Sequence, residues 1–369
     1  MIELNVFNLN FERIGEISEY NELVIERNYY KISQLILRIA PGEETKILLS
    51  EGNILTTTTN NNYGYYIDVF AYTDKTQQEI EVIAYSLNYF LSWRSIPKQQ
   101  YASGKVENVI KHFANVNAIN TTADRIIPNL RLAENSGIDI NTESSKSGGE
   151  VLEHCFNICK PHEMTIDVLM NHEDKKFDVY TSQGEDRTTL QSINQPIIFS
   201  KEYDNIINQQ YVRSRTDMKT TVFVAGEGEG INRKVVVADN NYSGFDRREL
   251  YADARDITRN YRDENNNDIV LSEAEYEALL LRRGIEKKSE FRVIETFESE
   301  VDMYSQFIFG VDYSLGDKVS IRNDEIGKIL HTRVVQYTLV SNREGISFNI
   351  NFGENVPSLF EKIKKKVVK

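Results

Sequence analysis

The sequence contains few of the features that mark secreted or membrane-bound proteins. Its 369 residues include only two cysteines, Cys155 and Cys159, which are too few for a disulfide framework. No apolar run approaches the roughly 18 residues that a membrane helix needs, and the first residues, MIELNVFNLN, lack the charged-then-apolar order of a signal peptide. We therefore expect no membrane-spanning segment, folding in a cytoplasm, and two or more domains stabilised by packing.

Basic residues are outnumbered by acidic ones. The chain has 43 Lys and Arg against 56 Asp and Glu, which gives a formal net charge of −13. A protein that grips DNA needs clustered Lys and Arg to neutralise phosphates, so this balance argues against general nucleic-acid binding. Tyrosine is plentiful, with 20 residues, whereas proline numbers only six. This composition suits a β-rich chain with polar-aromatic surfaces, such as an assembly interface or a carbohydrate site, and does not choose between them.

The sequence has no complete nucleotide-binding motif. The glycine-rich stretch VAGEGEGINR, residues 224–233, comes closest, but its third glycine, Gly230, falls one position too early for G-x-G-x-x-G. The following RKVVVADN favours a strand rather than the required helix, and Glu227 and Glu229 would repel a phosphate. We therefore predict a turn between two strands.

One cluster has the residue types of a zinc site. His154, Cys155, Cys159 and His162 are spaced so that three ligands could converge near one helical face. The same cysteines, however, continue an apolar stripe, and zinc sites usually combine a tight C-x-x-C pair with a distant second pair. We therefore predict a core helix and no metal. The stripe consists of Val151, Leu152, Phe156 and Ile158.

A second stretch resembles the first half of a calcium-binding loop. In DENNNDIVLSEA, residues 263–274, Asp263, Asn265 and Asn267 occupy alternate positions. The sixth position holds Asp268 rather than glycine, and the twelfth lacks the usual glutamate. We predict a polar hairpin tip that precedes a capped helix.

No catalytic motif is recognisable. The chain has no G-x-S-x-G, neither cysteine stands in a papain-like context, and five histidines are scattered along it. The abundant carboxylates include no pair that the sequence identifies as catalytic, since such pairs meet only in the fold. We predict that the protein is not an enzyme and has no catalytic, cofactor-binding or metal-binding residues.

The spacing of apolar residues divides the first half of the chain. Residues 1–96 contain short β-branched and aromatic runs separated by turn clusters, which predict a β-barrel or sandwich with Trp93 as a core anchor. Residues 97–195 change period, because the apolar residues of KVENVIKHFANV recur at helical spacing. A second helix in GGEVLEHCFNICK and two strands complete a predicted α+β insertion domain.

In the second half of the chain, β-patterned segments again flank a partly helical segment. Residues 196–245 return to a β pattern, and we predict that they rejoin the first module. Residues 246–298 are charged and partly helical, and the sequence SEAE supplies a capping box for the helix. Residues 299–353 contain short strands and predict a second β module. Residues 354–369 form a basic tail that ends in KIKKKVVK.

Seven sequence blocks together resemble the hub proteins of siphophage tail tips, which are also described as the amino-terminal structural region of tail-associated lysins. The segments GFDRRELYADARD and IIFSKEYDNI carry most of this resemblance, which extends in order over nearly the whole chain. The blocks are EGNILTTTT, IEVIAYSLNYFLSWRSI, GEDRTTLQSINQPIIFSKEYDNIINQQYVRS, VFVAGEGEGINRKVVV, GFDRRELYADARDI, DYSLGDKVSI and NFG.

The resemblance implies a fold and a set of partners. In that family the hub is similar to the central baseplate hub of contractile phages, with an α+β, β-rich chain of two β-barrel modules and inserted α/β domains. Three chains form a ring of six similar barrels that continues a six-fold tail tube. The implied partners are the distal tail protein, the tail tube or tape-measure protein, and a tip fibre or lysin protein. The implied location is the virion tail tip, after synthesis and assembly in the bacterial host cytoplasm.

The resemblance also gives the negative charge a role, because genomic DNA must pass a tail channel without being held. Carboxylates on the inner wall would leave phosphates un-neutralised, although acidity also aids solubility. Many relatives carry a long carboxy-terminal peptidase, amidase or carbohydrate-binding part, whereas 16 residues follow NFG in this sequence. We therefore expect lysis and receptor binding to belong to other proteins or to residues absent from this sequence. The basic tail is either a solvated end or a strut toward the next tip component.

Two other functions fit the same sequence. A cell-wall hydrolase or glycan-binding tip protein would use the tyrosines at 63–66 and Tyr242 to stack on sugars. An effector-delivery hub of a contractile machine would share the same barrels. Turnover of peptidoglycan would favour the first alternative, and neighbouring sheath and spike genes would favour the second.

Overall fold

The computed structural model describes residues 1–74, 78–262, 268–301 and 306–353. It is β-rich, with 44% strand and 19% helix, which confirms the predicted emphasis on strands. The strands of the described residues are β1 (Leu4–Phe7), β2 (Arg13–Ile17), β3 (Glu22–Asn28), β4 (Gln34–Ile39), β5 (Ile54–Thr57), β6 (Asn60–Thr73), β7 (Glu79–Ser86), β8 (Gln100–Lys105), β9 (Leu130–Leu132), β10 (Asn141–Lys146), β11 (Met164–Asn171), β12 (Lys176–Gln183), β13 (Ile198–Phe199), β14 (Ile206–Ser214), β15 (Thr221–Ala225), β16 (Val235–Ala238), β17 (Glu249–Asp253), β18 (Asn260–Arg262), β19 (Asp268–Val270), β20 (Ile294–Val301), β21 (Lys318–Asn323), β22 (Lys328–Asn342) and β23 (Gly345–Gly353). The α-helices are α1 (Glu43–Leu48), α2 (Val106–Ala114), α3 (Val151–Cys159) and α4 (Glu273–Ser289).

Buried and half-buried residues alternate along the central strands of the first β region. Leu23 and Ile25 in β3, Leu35 and Leu37 in β4, and Val82 in β7 are buried, while their neighbours along each strand are half-buried. Successive side chains of a strand point to opposite faces of the sheet, so this pattern places one whole face in a core. Burial therefore alternates with a period of two along these strands.

Eleven strands follow one another in one antiparallel sheet, in the order β14-β20-β23-β22-β3-β4-β7-β6-β5-β1-β2. Strand β21 also pairs with β22, and β13 with β21. The first and last β regions are joined where β3 pairs with β22 and Ile25 lies opposite Leu339. Among the described residues the order does not return on itself, so no closed barrel is found and two separate barrel modules stay a proposal. Strands β2 and β14 stand at the two ends.

Residues 196–245 do not pair as predicted. Strand β13 pairs with β21 and β14 pairs with β20, so these strands join the second β region rather than the first. Strands β15 and β16 belong with β17 to a separate three-stranded sheet. The sequence pattern shows which face of a strand is buried, but it carries no information on which distant strand lies alongside.

The first insertion packs two helices on small sheets. The predicted apolar face of α2 is buried, including Val109, Ile110 and Phe113. Strands β11, β12 and β9 form one small sheet, and β8 pairs with β10. The core of this insertion also contains Phe7 and Leu87 from the first β region, so the two regions share one hydrophobic core.

The second insertion is a three-stranded sheet, β16-β15-β17, with α4 on one face. Helix α4 begins as predicted, because Ser272 and Glu275 form both hydrogen bonds of a capping box. Leu280 packs with Val222 in the same core, and Gly284 allows close approach because a Cβ atom there would lie 2.7 Å from a methyl group of Val224. None of the helices in the described ranges has the length and apolar character needed to cross a membrane.

Trp93 is not the core anchor that the sequence predicts. It lies at the end of a 3₁₀-helix, Leu87–Trp93, and is 41% exposed. Its ring packs against Tyr66, Tyr89 and Phe90 at centroid distances of 5.3, 5.5 and 4.9 Å. These rings cover only part of the tryptophan, and the rest of its apolar surface stays exposed.

Candidate functional site

Two loops far apart in the sequence meet in the fold, and we call their contact the junction. It consists of residues 184–187, in the GEDR sequence, and residues 315–318, in the LGDK sequence. The backbone N–H of Glu185 donates to Asp317 Oδ1 over 2.8 Å. The N–H of Lys318 donates to the carbonyl oxygen of Glu185, also over 2.8 Å. The junction therefore fixes the end of the first insertion to the second β region.

Glycine is required on both sides of the junction. A Cβ atom on Gly184 would overlap the carbonyl oxygen of Gly316, and one on Gly316 would overlap the ring of Tyr29. Gly316 also has a φ of +99°, a conformation that side chains other than hydrogen disfavour. The N–H of Gly184 donates to the Tyr29 hydroxyl over 3.2 Å, and that hydroxyl lies 3.1 Å from its acceptor, the carbonyl oxygen of Ser182. Burial raises the pKa of this tyrosine.

The half-buried carboxylate of Glu163 forms ion pairs with two basic residues at the junction. Glu163 lies 2.6 Å from Lys318 Nζ and 3.2 Å from the guanidinium of Arg333. Arg333 also donates to the carbonyl oxygen of Gly316 and lies 5.4 Å from the centre of the Tyr29 ring. Burial alone would favour the protonated form of Glu163, but these cations hold its pKa below the ordinary value.

A buried ion pair joins the first β region to the first insertion. Arg27 of β3 lies 3.0 Å from Asp167 of β11, and their side chains are only 7% and 8% exposed. The guanidinium stacks 4.0 Å from the centre of the Tyr63 ring, whose hydroxyl lies 2.9 Å from that of Tyr180. Burial raises the pKa of Asp167, and the charge of Arg27 opposes that change. A cavity of about 310 Å³ adjoins this cluster.

A second polar cluster joins the two insertions through α4. Arg283 donates to both carboxylate oxygens of Asp256, each over 3.1 Å, and to the carbonyl oxygen of Ser145 over 2.6 Å. Asp256 is the last residue of the GFDRRELYADARD segment. Burial raises the pKa of Glu286 to about 7, although Arg283 opposes the change. Burial also lowers the pKa of His154, which lines the same cleft.

The four residues of the possible zinc cluster lie in and beside a core helix. Cys155 and Cys159 are fully buried free thiols, and burial raises the pKa of both. His162 lies beyond the end of α3, where its Nε2 is 3.2 Å from Thr142 Oγ1. Within the described ranges, no group of three or more His, Cys, Asp or Glu side chains is arranged to hold a metal ion.

The glycine-rich stretch 224–233 is the predicted turn between two strands, β15 and β16. The backbone N–H of Glu227 donates to the Tyr276 hydroxyl over 2.7 Å, and a Cβ atom on Gly226 would overlap that hydroxyl. The turn is therefore held against α4. Its glycines serve chain reversal and close packing.

The residues considered for sugar stacking and for calcium binding lie in different parts of the chain. The tyrosines at 63–66 lie in strand β6 rather than in a loop, and Tyr65 is buried. Tyr242 is 43% exposed. The calcium-loop residues Asp263, Asn265 and Asn267 and the basic tail, 354–369, lie outside the described residues. The sequence did not reveal the junction or the two buried polar clusters. The only local signal for the junction is that GEDR and LGDK each contain a glycine next to an acidic residue.

Comparisons with known proteins agree with this architecture. The family model of the Siphovirus ReqiPepy6 Gp37-like proteins matches residues 3–354. Among curated proteins, none matches the sequence. The tail protein from Neisseria meningitidis MC58 is similar with a TM-score of 0.55 and 14% identity over 96% of both chains. The prophage tail protein gp18 from Listeria monocytogenes EGD-e has a TM-score of 0.55 and 11% identity over 100% of this chain and 99% of that chain.

A third solved structure has the same fold. The 43 kDa tail protein of prophage MuSo2 from Shewanella oneidensis is similar with a TM-score of 0.56 and 11% identity, over 95% of this chain and 97% of that chain. At such low identities the likeness establishes the fold, while the family match establishes kinship and confirms the resemblance read from the sequence blocks. The chain belongs to the Siphovirus ReqiPepy6 Gp37-like family of siphovirus tail proteins.

Proposed function

We propose that this protein is the non-enzymatic structural hub of a phage or prophage tail tip. Three copies form a ring that links the distal tail protein and the tail tube or tape-measure protein to a tip fibre or lysin. The ring forms or gates the channel through which DNA leaves, and the protein is assembled into the virion tail in the host cytoplasm. The two β regions act as barrel-like modules of the ring. The first insertion lies between them in the sequence, and the second insertion interrupts the second β region.

The open sheet is the observation that carries this proposal. Its order ends at β2 and β14, each of which has one neighbouring strand among the described residues. Free strand edges present unpaired N–H and C=O groups that pair readily with another chain. Because the two edges differ, a contact between β14 of one copy and β2 of the next is heterologous, and such contacts close into rings when the rotation fits.

One face of the central strands suits a channel wall. The half-buried side chains of β3, β4 and β7 include Glu22, Glu26, Glu79, Glu81 and Arg38, which amounts to four acids and one base. Arg38 pairs with Glu22 and, over 2.7 Å, with Glu81. The excess of carboxylates leaves phosphates un-neutralised, so DNA would slide past this face without being held.

The mass of the purified protein in solution, measured by light scattering over a range of concentrations, tests the ring. We expect a species near three times 42.6 kDa. Lysine on a strand edge opposes pairing, so Ile207→Lys, at an exposed position of β14, should reduce the mass toward that of one chain. Ile47→Lys, at an exposed position of α1, is the matched control and should leave the mass unchanged.

Two results would contradict the proposal. Equal masses for the wild-type chain and for Ile207→Lys, in a species larger than one chain, would show that β14 is not part of the ring contact. Turnover of purified peptidoglycan by the wild-type chain would favour the alternative of a cell-wall-degrading tail protein. Retention on peptidoglycan without turnover would favour the glycan-binding alternative.

A further inference from the structure

The cavity of about 310 Å³ beside the Arg27–Asp167 pair lies where the two β regions meet the first insertion. Arg27 of β3 and Tyr337 of β22 are opposite each other in the shared sheet, and both line the cavity together with Asp167 of β11. Ser314, in the loop before β21, is an exposed residue of the lining. The volume is near the lower end of the range for small-molecule pockets, so the cavity can hold a ligand of one or two six-membered rings.

The cavity carries no net charge. Among the described residues that line it, only Arg27 and Asp167 are charged, and these two lie 3.0 Å apart as an ion pair. A charged ligand would leave a charge without a partner in a partly buried place, which costs free energy. The cavity therefore favours a neutral ligand.

The lining combines aromatic rings with hydrogen-bonding groups. Phe309 and five tyrosines provide the rings, and six serine, threonine and asparagine residues add hydroxyl and amide groups. The tyrosines are Tyr29, Tyr63, Tyr65, Tyr180 and Tyr337. A pyranose sugar has apolar C–H faces and a rim of hydroxyl groups, so it is complementary to both kinds of group.

Two groups of the cavity have hydrogen-bonding capacity for a ligand. The hydroxyls of Tyr63 and Tyr180 lie 2.9 Å apart, and their mutual hydrogen bond uses only one of the two hydroxyl protons. Burial raises the pKa of Tyr180, so its hydroxyl keeps its proton. The Nε–H group of Arg27, whose side chain is 7% exposed, has no acceptor among the described residues. Buried donors are normally paired, so an oxygen atom of a ligand would complete this set.

We propose that this cavity binds a neutral saccharide, whose hydroxyl groups bond to Tyr180 and Arg27 and whose C–H face packs on the aromatic rings. The Arg27 guanidinium stacks 4.0 Å from the centre of the Tyr63 ring and is paired with Asp167, which fixes these groups before a ligand arrives. The proposal does not rest on the ring, because the cavity lies within one chain. A sugar contact would add to the hub function rather than replace it.

Saturation-transfer NMR of the full-length chain with methyl β-glucoside and methyl N-acetyl-β-glucosaminide tests the site. We expect saturable binding with a Kd of about 10 mM or tighter, because a single ring makes few contacts. Glucuronic acid has the same ring with a carboxylate and should bind at least about tenfold more weakly. The absence of saturable binding for both glycosides, or equal binding of glucuronic acid, would overturn the proposal.

Two substitutions locate the binding. Tyr180→Phe removes one hydroxyl and keeps the ring, so it should weaken binding about tenfold. Ser314→Trp adds a large side chain at an exposed position of the lining and should block binding without removing a buried side chain. Ser243→Trp, at an exposed position that does not line the cavity, is the matched control and should leave the affinity unchanged. Unchanged affinity in either cavity variant would place the sugar elsewhere and overturn the proposal.

A two-ring probe distinguishes the source of the sugar. Tighter binding of N,N′-diacetylchitobiose than of its single-ring glycoside would indicate the end of a glycan chain, whereas equal binding would indicate a free sugar, and both results support a saccharide site. The mass of Ser314→Trp in solution should equal that of the wild-type chain. A failure of the ring contact and a failure of the sugar site therefore give separate results.

Discussion

Gly184 and Gly316 touch so closely that a Cβ atom on the first would overlap the carbonyl oxygen of the second. Gly184→Ala should therefore lower the free energy of unfolding by about 1–3 kcal/mol, because the junction must open to admit one methyl group. Denaturant unfolding followed by circular dichroism measures this. Gly42→Ala is the control, because its Cβ would lie 3.3 Å from Thr45 Oγ1, and it should cost much less. Equal costs for both substitutions would show that the junction is loosely packed.

Breaking the Arg27–Asp167 ion pair should lower the free energy of unfolding more than Gly184→Ala does. Asp167→Asn leaves the buried guanidinium without its counter-charge, so the free energy of unfolding should fall by about 3–5 kcal/mol. A double variant, Arg27→Met with Asp167→Leu, should recover much of that loss, because both charges then leave the interior together. If the loss of stability in this double variant equalled the sum of the losses for Arg27→Met and Asp167→Leu made singly, the two side chains would have no coupling energy.

Glu286 should make stability depend on pH. Its pKa is about 7 in the fold, against 4.5 for an ordinary glutamate, with burial as the main cause and Arg283, Lys146 and Lys287 in opposition. Between these values the folded state binds more protons than the unfolded state, so the free energy of unfolding falls as pH rises from about 4.5 through about 7.

The variant Glu286→Gln should remove this dependence. At about pH 8 it should be more stable than the wild-type chain by at most about 3 kcal/mol, with a difference that shrinks toward pH 5. Thermal unfolding at both pH values measures this, with Glu290→Gln at the exposed end of α4 as the control. A pH profile that is identical in wild type and Glu286→Gln would contradict the prediction.

The acidic face predicts how the protein meets DNA. Replacing Glu26 and Glu79 by lysine should create duplex DNA binding at low salt, and the dependence of log affinity on log salt concentration should steepen by about one for each phosphate that a new lysine neutralises. Fluorescence anisotropy of labelled DNA over a salt series measures both quantities. Glu173→Lys, at an exposed turn between β11 and β12, is the control. If Glu173→Lys raises the affinity for DNA as much per lysine as Glu26→Lys with Glu79→Lys, the face has no special role.

The sequence identified several elements because their determinants are local. The capping box of Ser272 and Glu275, the apolar face of α2 with Phe113, and the turn around Gly230 each depend on residues within a few positions of one another. Such patterns need no knowledge of distant parts of the chain. The ordered blocks of sequence likewise indicated the tail-protein family before any contact was known.

Other predictions failed because their causes are not local. The strands of residues 196–214 pair with β20 and β21, and Trp93 stays 41% exposed, because each outcome depends on which distant element lies beside it. The contact of Gly184 with Gly316 and the ion pair of Arg27 with Asp167 are also non-local. No feature of the sequence around these residues marks them as partners, and only the folded chain brings them together.

The sequence by itself determined the β-rich character, the faces of individual strands and helices, the helix start at Ser272 and the family. These follow from residue spacing, propensity and capping, which act over a few residues. Only the tertiary structure decided the order of strands in the shared sheet, the junction of Gly184 and Gly316, and the two buried polar clusters. Their partners are separated by long stretches of chain, and burial and shape fit, rather than any local pattern, select them.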